Sequence, residues 1–243
     1  MFLFDRPIAH RGLHDETRTE NSMAAFKNAL EHGYNIETDV HLLKSGEVVI
    51  FHDNTLERVC GIKKAISDLT LDDIKSDKYL LPNGEHIPLF EELLELVDGK
   101  TGILLELKID FRHCDHRLEK SVYKLIKGKE NWIAVQSFSP RIMTWFNKNA
   151  HEFYRGILSD NFVQWLHTLC FCSTKPNFIA FGVKNVKKIL KKREKSGCTL
   201  LVWTVRTKED LLYAIDNGVN NVIFEKIIPE ENGLEPGKLK PAK

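Results

Sequence analysis

Glu37 and Asp39 stand two residues apart in Asn35-Ile36-Glu37-Thr38-Asp39-Val40, a stretch otherwise built like a buried strand. Side chains at i and i+2 of a strand share a face, so the two carboxylates point one way while Ile36 and Val40 pack the other. Leu104-Leu105-Glu106-Leu107-Lys108 repeats the device with Glu106 and Lys108. Charges inside apolar strands are costly unless they pair with each other or with an ion. Three converging carboxylates repel, and a divalent cation removes that repulsion. An all-oxygen donor set suits Mg2+ or Ca2+ rather than zinc.

Two histidines can join them. Lys44-Ser45-Gly46 reads as a hairpin connection between strands 35–43 and 47–52. Turning about Ser45-Gly46 sets His52 opposite Asp39. His10 ends the first strand, Pro7-Ile8-Ala9-His10, with Arg11 beside it. This set fits attack on a phosphodiester. An imidazole pKa near ~6.5 lets one histidine act as base and the other as acid. A metal stabilises charge growing in the transition state. Arg11 can grip phosphate oxygens in a fork, and Lys108 adds a point charge. The first nucleophile, a neighbouring substrate hydroxyl or water, stays open.

The elements that must position these residues alternate strand and helix. Eight main strands are expected near residues 8, 38, 105, 135, 156, 180, 202 and 223, with the hairpin counted once. Helices are expected at 22–32 (capped by Asn21), 89–97, 113–127, from Pro140, 185–195 and 208–217. Eight strand–helix units at this length predict an α/β fold, a (β/α)8 TIM barrel, whose chemistry sits at the C-terminal ends of the strands. No G-x-G-x-x-G follows the first strand, which weakens a dinucleotide-binding reading. Residues 54–88 interrupt the rhythm and read as a small insertion at the functional end, with a short helix at Leu71-Asp72-Asp73-Ile74. Residues 1–228 read as one catalytic domain and 229–243 as a frayed tail.

Composition narrows the class. In 243 residues, 28% are charged and 42% hydrophobic, a globular balance. A net charge of +1 predicts no nucleic-acid partner. No apolar run suits a membrane span, so no stable membrane insertion is expected, and the start lacks the basic region of a secretory signal. Five scattered cysteines favour reduced thiols in the cytoplasm. A homo-oligomer is left open.

The combined pattern of His10-Arg11-Gly12, Glu20-Asn21-Ser22, Glu37-Thr38-Asp39-Val40, Ser45-Gly46, Phe51-His52-Asp53 and Leu105-Glu106-Leu107-Lys108 closely resembles the glycerophosphodiester phosphodiesterases. Gln136-Ser137-Phe138-Ser139-Pro140 and Val202-Trp203-Thr204-Val205 extend the resemblance over nearly the whole chain. It implies a barrel with an insertion after the hairpin. It implies one Mg2+ or Ca2+ on Glu37, Asp39 and Glu106, and a catalytic pair His10 and His52. It also implies a small glycerophosphodiester substrate and glycerol 3-phosphate as product, with Phe138 and Trp203 walling the cleft. Two departures stand out. Ser22 replaces a usual threonine, and Phe224-Glu225-Lys226 replaces the family's common Thr-Asp-x-Pro ending, which bears on head-group contacts.

Blander readings compete. A single strand histidine is usually a core residue, and Glu37 and Asp39 could pair structurally with Arg11 or Lys108, but Glu106 would then lack a partner. Asp53 reads as orienting the turn or the imidazole. The other histidines, His41 included, read as surface or ordinary polar residues. The basic run 184–195 reads as a solvated helix face, and Cys170-Phe171-Cys172 as buried rather than metal-binding. Two further functions stand beside the phosphodiesterase: a lysophospholipase D-like hydrolase of single-chain lipids, and a silent barrel that only binds phosphodiesters.

Overall fold

The computed structural model describes residues 3, 5–108, 115–160, 173–186, 199–235 and 239. Eight parallel strands close into a barrel: β1 (Ile8–His10), β2 (Asn35–Leu42), β4 (Ile103–Leu107), β5 (Ile133–Ser137), β6 (Tyr154–Ser159), β7 (Phe178–Gly182), β8 (Thr199–Val205) and β9 (Asn221–Phe224). β1 bonds to both β2 and β9, which removes the sheet's edges. A short antiparallel strand, β3 (Val48–Ile50), hangs on the end of β2.

The alternation anticipated from sequence sorts the side chains. Ile36, Val40, Ile103, Leu105 and Leu107 join the core between sheet and helices. Ile8, Leu104, Ala134, Phe178, Leu201 and Ile223 form a second cluster that fills the barrel interior. Inside β4, Leu104 belongs to that floor, while Glu106 and Lys108 follow at the same parity toward the strand's C-terminal end. Along β4 the interior thus changes from apolar to charged.

Gly156 makes the floor possible. A Cβ there would overlap the ring of Phe178, which is fully buried and cannot swing aside. Gly156→Ala is expected to cost about 1–3 kcal/mol by overpacking, read from the urea midpoint. An unchanged midpoint would show that the floor is soft.

The structure corrects several boundaries. The helix after the first loop is Met23–Glu31, and Ser22, not Asn21, caps it by accepting from the Ala25 N–H. Asn21 instead takes a positive φ of 56° and turns its amide into the barrel mouth. The hairpin register is one residue off the expected one: Val40 faces Ile50, and Phe51 donates to the Asp39 carbonyl, so His52 lies just beyond the ladder. The five-residue connection, closed by Leu43 N–H to the Glu47 carbonyl, sets that shift.

Segment 54–88 carries its own apolar cluster, with Leu56, Ile66, Leu69, Ile74, Tyr79, Leu81 and Ile87 packed on Val49 and Phe51. Its short helix Leu71–Lys75 starts with a capping box between Thr70 and Asp73. Residues 229–235 are docked rather than frayed: Tyr34 donates to Glu230 at 2.6 Å and Leu234 is buried. The basic run beyond residue 186, Cys114, Cys170, Cys172 and Cys198 lie outside the described residues.

Candidate active site

Strand register gathers the carboxylates. His10 lies beside Glu37, Asp39 beside Glu106, and Glu106 beside Gln136. One oxygen from each of Glu37, Asp39 and Glu106 lies within 4.8 Å of the others. All three side chains are buried. Lys108 Nζ donates to Glu106 at 2.7 Å and Asp39 at 3.3 Å.

The His10-Arg11-Gly12 turn follows from close packing. Arg11 and Gly12 both hold positive φ, 58° and 79°. A Cβ on Gly12 would sit 2.9 Å from Ala25. The turn aims the Arg11 N–H at Glu37 (3.2 Å) and brings its side chain to Glu20 (2.7 Å) and Asp39 (3.5 Å). Asn21 donates to Asp39 at 3.0 Å and accepts from Thr38 at 2.8 Å.

Each imidazole is backed by a carboxylate, and each carboxylate by an arginine. His10 Nδ1 donates to Glu225 at 2.8 Å, and Arg206 grips Glu225 at 3.2 Å through both Nε and Nη2. His52 Nδ1 donates to Asp53 at 2.6 Å, and Arg58 Nε holds Asp53 at 2.6 Å. Arg58, from the inserted segment, also forks onto Glu20 at 2.6 and 2.9 Å. One guanidinium therefore steadies both His52 and, through Glu20, Arg11. With Nδ1 engaged, Nε2 of each ring is left for chemistry; that of His10 is 4.0 Å from Glu37. His41, expected to be an ordinary polar residue, is buried and donates to the His52 carbonyl at 3.2 Å, anchoring that loop.

The electrostatics are those of a buried acidic cluster that its neighbouring cations only partly neutralise. Burial, with Asp39 and Glu106 close by, raises the Glu37 carboxyl well above the usual range. Burial raises Glu106 too, against the pull of Lys108. Burial opposes ionisation of Asp39 as well, but Lys108, His52 and Arg11 outweigh it and hold that carboxyl low. Desolvation lowers both His10 and His52, so each ring favours its neutral form despite nearby acids. Burial likewise works against Glu225, and the bonds from His10 and Arg206 overcome it, keeping the carboxylate charged. Glu20 is held down to about 2 because Arg58 and Arg11 outweigh its desolvation.

A cavity of about 350 Å3 opens over this cluster. Phe138, Leu158, Trp203 and Ile223 wall its apolar side, with Phe138 and Trp203 edge-to-face at 5.7 Å. Gln136 Oε1 and Trp203 Nε1 are buried there without a hydrogen-bond partner among the described residues, an acceptor and a donor for a bound molecule.

All nine residues singled out by sequence therefore lie at one end of the barrel. Lys108 is set slightly aside, held against Asp39 and Glu106 but outside the cavity lining. Sequence reasoning missed Glu225, Glu20, Asn21, Arg58, Arg206 and Gln136 as parts of the site. Glu20 and Asn21 stood inside a quoted motif, and Glu225 stood at the departure noted above. Arg58 and Arg206 carry no local signal.

A closed parallel barrel with buried carboxylates, two carboxylate-backed imidazoles and two cations at the C-terminal rim has the make-up of a barrel hydrolase for anionic esters. The glycerophosphoryl diester phosphodiesterase family model matches residues 10–228. The chain belongs to that family and is an enzyme of the phosphodiesterase class. It is 29% identical over 232 residues to a glycerophosphodiester phosphodiesterase of Caldanaerobacter subterraneus subsp. tengcongensis, covering 90% of this chain and 93% of that one. A human lysophospholipase D is 33% identical over 132 residues, 49% of this chain and 40% of its own. Among solved structures, an Oleispira antarctica phosphodiesterase in complex with its product sn-glycerol-3-phosphate superposes with a TM-score of 0.79 at 20% identity, covering 94% and 95% of the two chains. Among the described residues no helix is long and apolar enough to cross a membrane.

Proposed function

We propose that this enzyme hydrolyses glycerophosphodiesters to an alcohol and sn-glycerol 3-phosphate, using one Mg2+ or Ca2+ and the pair His10 and His52. The carrying observation is the cluster of three buried carboxylate oxygens within 4.8 Å of one another, in a pocket that His10 and His52 also line. The donor set fits the ion. It is all oxygen, it is desolvated, and burial together with mutual repulsion raises the carboxyls of Glu37 and Glu106 above the usual range. Glu37, Asp39 and Glu106 would hold the cation, which when bound supplies Lewis-acid stabilisation of charge on phosphate oxygens. With a divalent ion, the cluster of three ionised acids, Arg11 and Lys108 reaches one net positive charge, which a singly charged phosphodiester balances.

The remaining work falls to the chain's own groups. Arg11, fixed by Glu20, presents its guanidinium to a phosphate oxygen. One neutral imidazole takes at Nε2 the proton of the attacking water or neighbouring substrate hydroxyl, and the other, in its imidazolium form, gives its Nε2 proton to the leaving alkoxide; where the hydroxyl attacks first, water then opens the cyclic phosphate with the two roles exchanged. Glu225 and Asp53, held ionised by arginines, fix the Nδ1–H tautomer and stabilise each ring when it is charged. Phe138 and Trp203 offer flat apolar surface to the glycerol carbons. The product held by the Oleispira relative supports glycerol 3-phosphate as the retained half. A reducing, cytoplasmic setting suits scattered cysteines, of which the described Cys60 is free.

The partial match to lysophospholipase D keeps a second substrate class in view. Turnover of glycerophosphocholine and lysophosphatidylcholine, each with Mg2+ and with Ca2+, separates them. Glycerol 3-phosphate released from the deacylated diester at the higher kcat/KM is the expected result. Preference for the single-chain lipid would overturn it.

A further inference from the structure

A phosphodiester has two ester arms, and this site has two cavities. The first is the aromatic-walled cavity above. The second, of about 440 Å3, lies against the ends of β2 and β4 and the start of helix Pro140–Asn149. The partition between them is the Lys108–Glu106 ion pair at 2.7 Å: Glu106 lines the first cavity and Lys108 the second.

The second cavity is basic in a way its own acids do not cancel. Arg117 is paired with Asp115 at 2.6 Å and Glu119 with His116 at 2.8 Å. Asp68 has an interaction of its own. Lys44, Lys64 and Arg141 line the cavity without an ion pair among the described residues. Arg141 Nη1 is buried with no hydrogen-bond acceptor. A buried guanidinium nitrogen without an acceptor is unfavourable until an anion supplies one.

We propose that this basic cavity is a head-group subsite selecting glycerophosphodiesters whose leaving alcohol carries a further anionic group, a phosphate or a carboxylate. The inference rests on the phosphodiesterase reading above. Arg141 forks onto the extra anion, while Lys44 and Lys64 add point charges at its mouth. Lys108 marks the junction where the scissile phosphate meets the carboxylate cluster.

The test compares glycerophosphoinositol with glycerophosphoinositol 4-phosphate, which differ by one phosphate. Wild-type protein is expected to turn over the phosphorylated diester with a kcat/KM about tenfold higher. Arg141→Gln, and separately the double variant Lys44→Gln/Lys64→Gln, remove that preference and leave turnover of glycerophosphoinositol unchanged. Equal turnover of the two diesters by wild type, or a preference that survives both variants, overturns the subsite. Loss of turnover of every diester in wild type would instead sink the phosphodiesterase reading. Calorimetric titration of free inositol 4-phosphate reads the cavity without turnover. Saturable binding by wild type, weakened in Arg141→Gln, supports the subsite, and absence of binding by wild type overturns it.

Discussion

Alanine at His10 or at His52 is expected to lower kcat by about 10²–10⁴-fold, the usual worth of a positioned acid or base. Each ring is oriented by a carboxylate at Nδ1, 2.8 Å for His10 and 2.6 Å for His52, and lines the cavity, so each substitution removes a group proposed to transfer a proton. The double variant is expected to fall little below the worse single one, because the two rings serve one transition state. The fold should survive, since neither ring belongs to the apolar clusters. Thermal melting and far-ultraviolet circular dichroism check that, alongside release of glycerol 3-phosphate. A well-folded His52→Ala enzyme with unaltered kcat would remove this residue from the chemistry.

Exhaustive chelation is expected to abolish turnover, with recovery on adding back Mg2+ or Ca2+. In the cation-free protein, Glu37 is pushed well above the carboxylate range by burial and by Asp39 and Glu106. Binding a cation requires Glu37 ionised, so binding releases a proton and apparent affinity weakens as pH falls. The sign follows from the raised pKa: the competing proton is held to a higher pH than by an ordinary glutamate. Cation binding also relieves the repulsion, so the bound protein melts higher, by about 2.7 kcal/mol of added stability at 100 times Kd. Calorimetry in two buffers of different ionisation enthalpy counts the proton, and melting curves read the stabilisation. Full activity in a chelated sample shown to be metal-free would refute the role given to Glu37, Asp39 and Glu106. Glu106→Gln is the matching variant, expected to weaken cation binding while keeping the side-chain volume.

What was legible in the sequence were the violations of local expectation. Glu37, Asp39, Glu106 and Lys108 are charges where a strand wants apolar residues, and the two-residue period alone puts each pair on one face. The eight strands were legible for the same reason. The helix start at 22 was misread because Asn and Ser are both good caps, and only the positive φ of Asn21 shows which one turns inward. The hairpin register slipped by one because it depends on the connection's geometry rather than on any residue in the strands.

By itself, then, the order of residues determined the kind of fold and the residue types of the candidate site, because both depend on periods of two and on residue types within a few positions. Tertiary structure alone decided who supports whom. Glu225 reaches His10 across 215 positions, and Arg58 meets Glu20 across 38. Such partners leave no local trace, since an exposed-looking glutamate or arginine reads the same whether it faces solvent or another segment. Barrel closure, which bonds β1 to β9, is what carries Glu225 to the imidazole and turns isolated charges into a site.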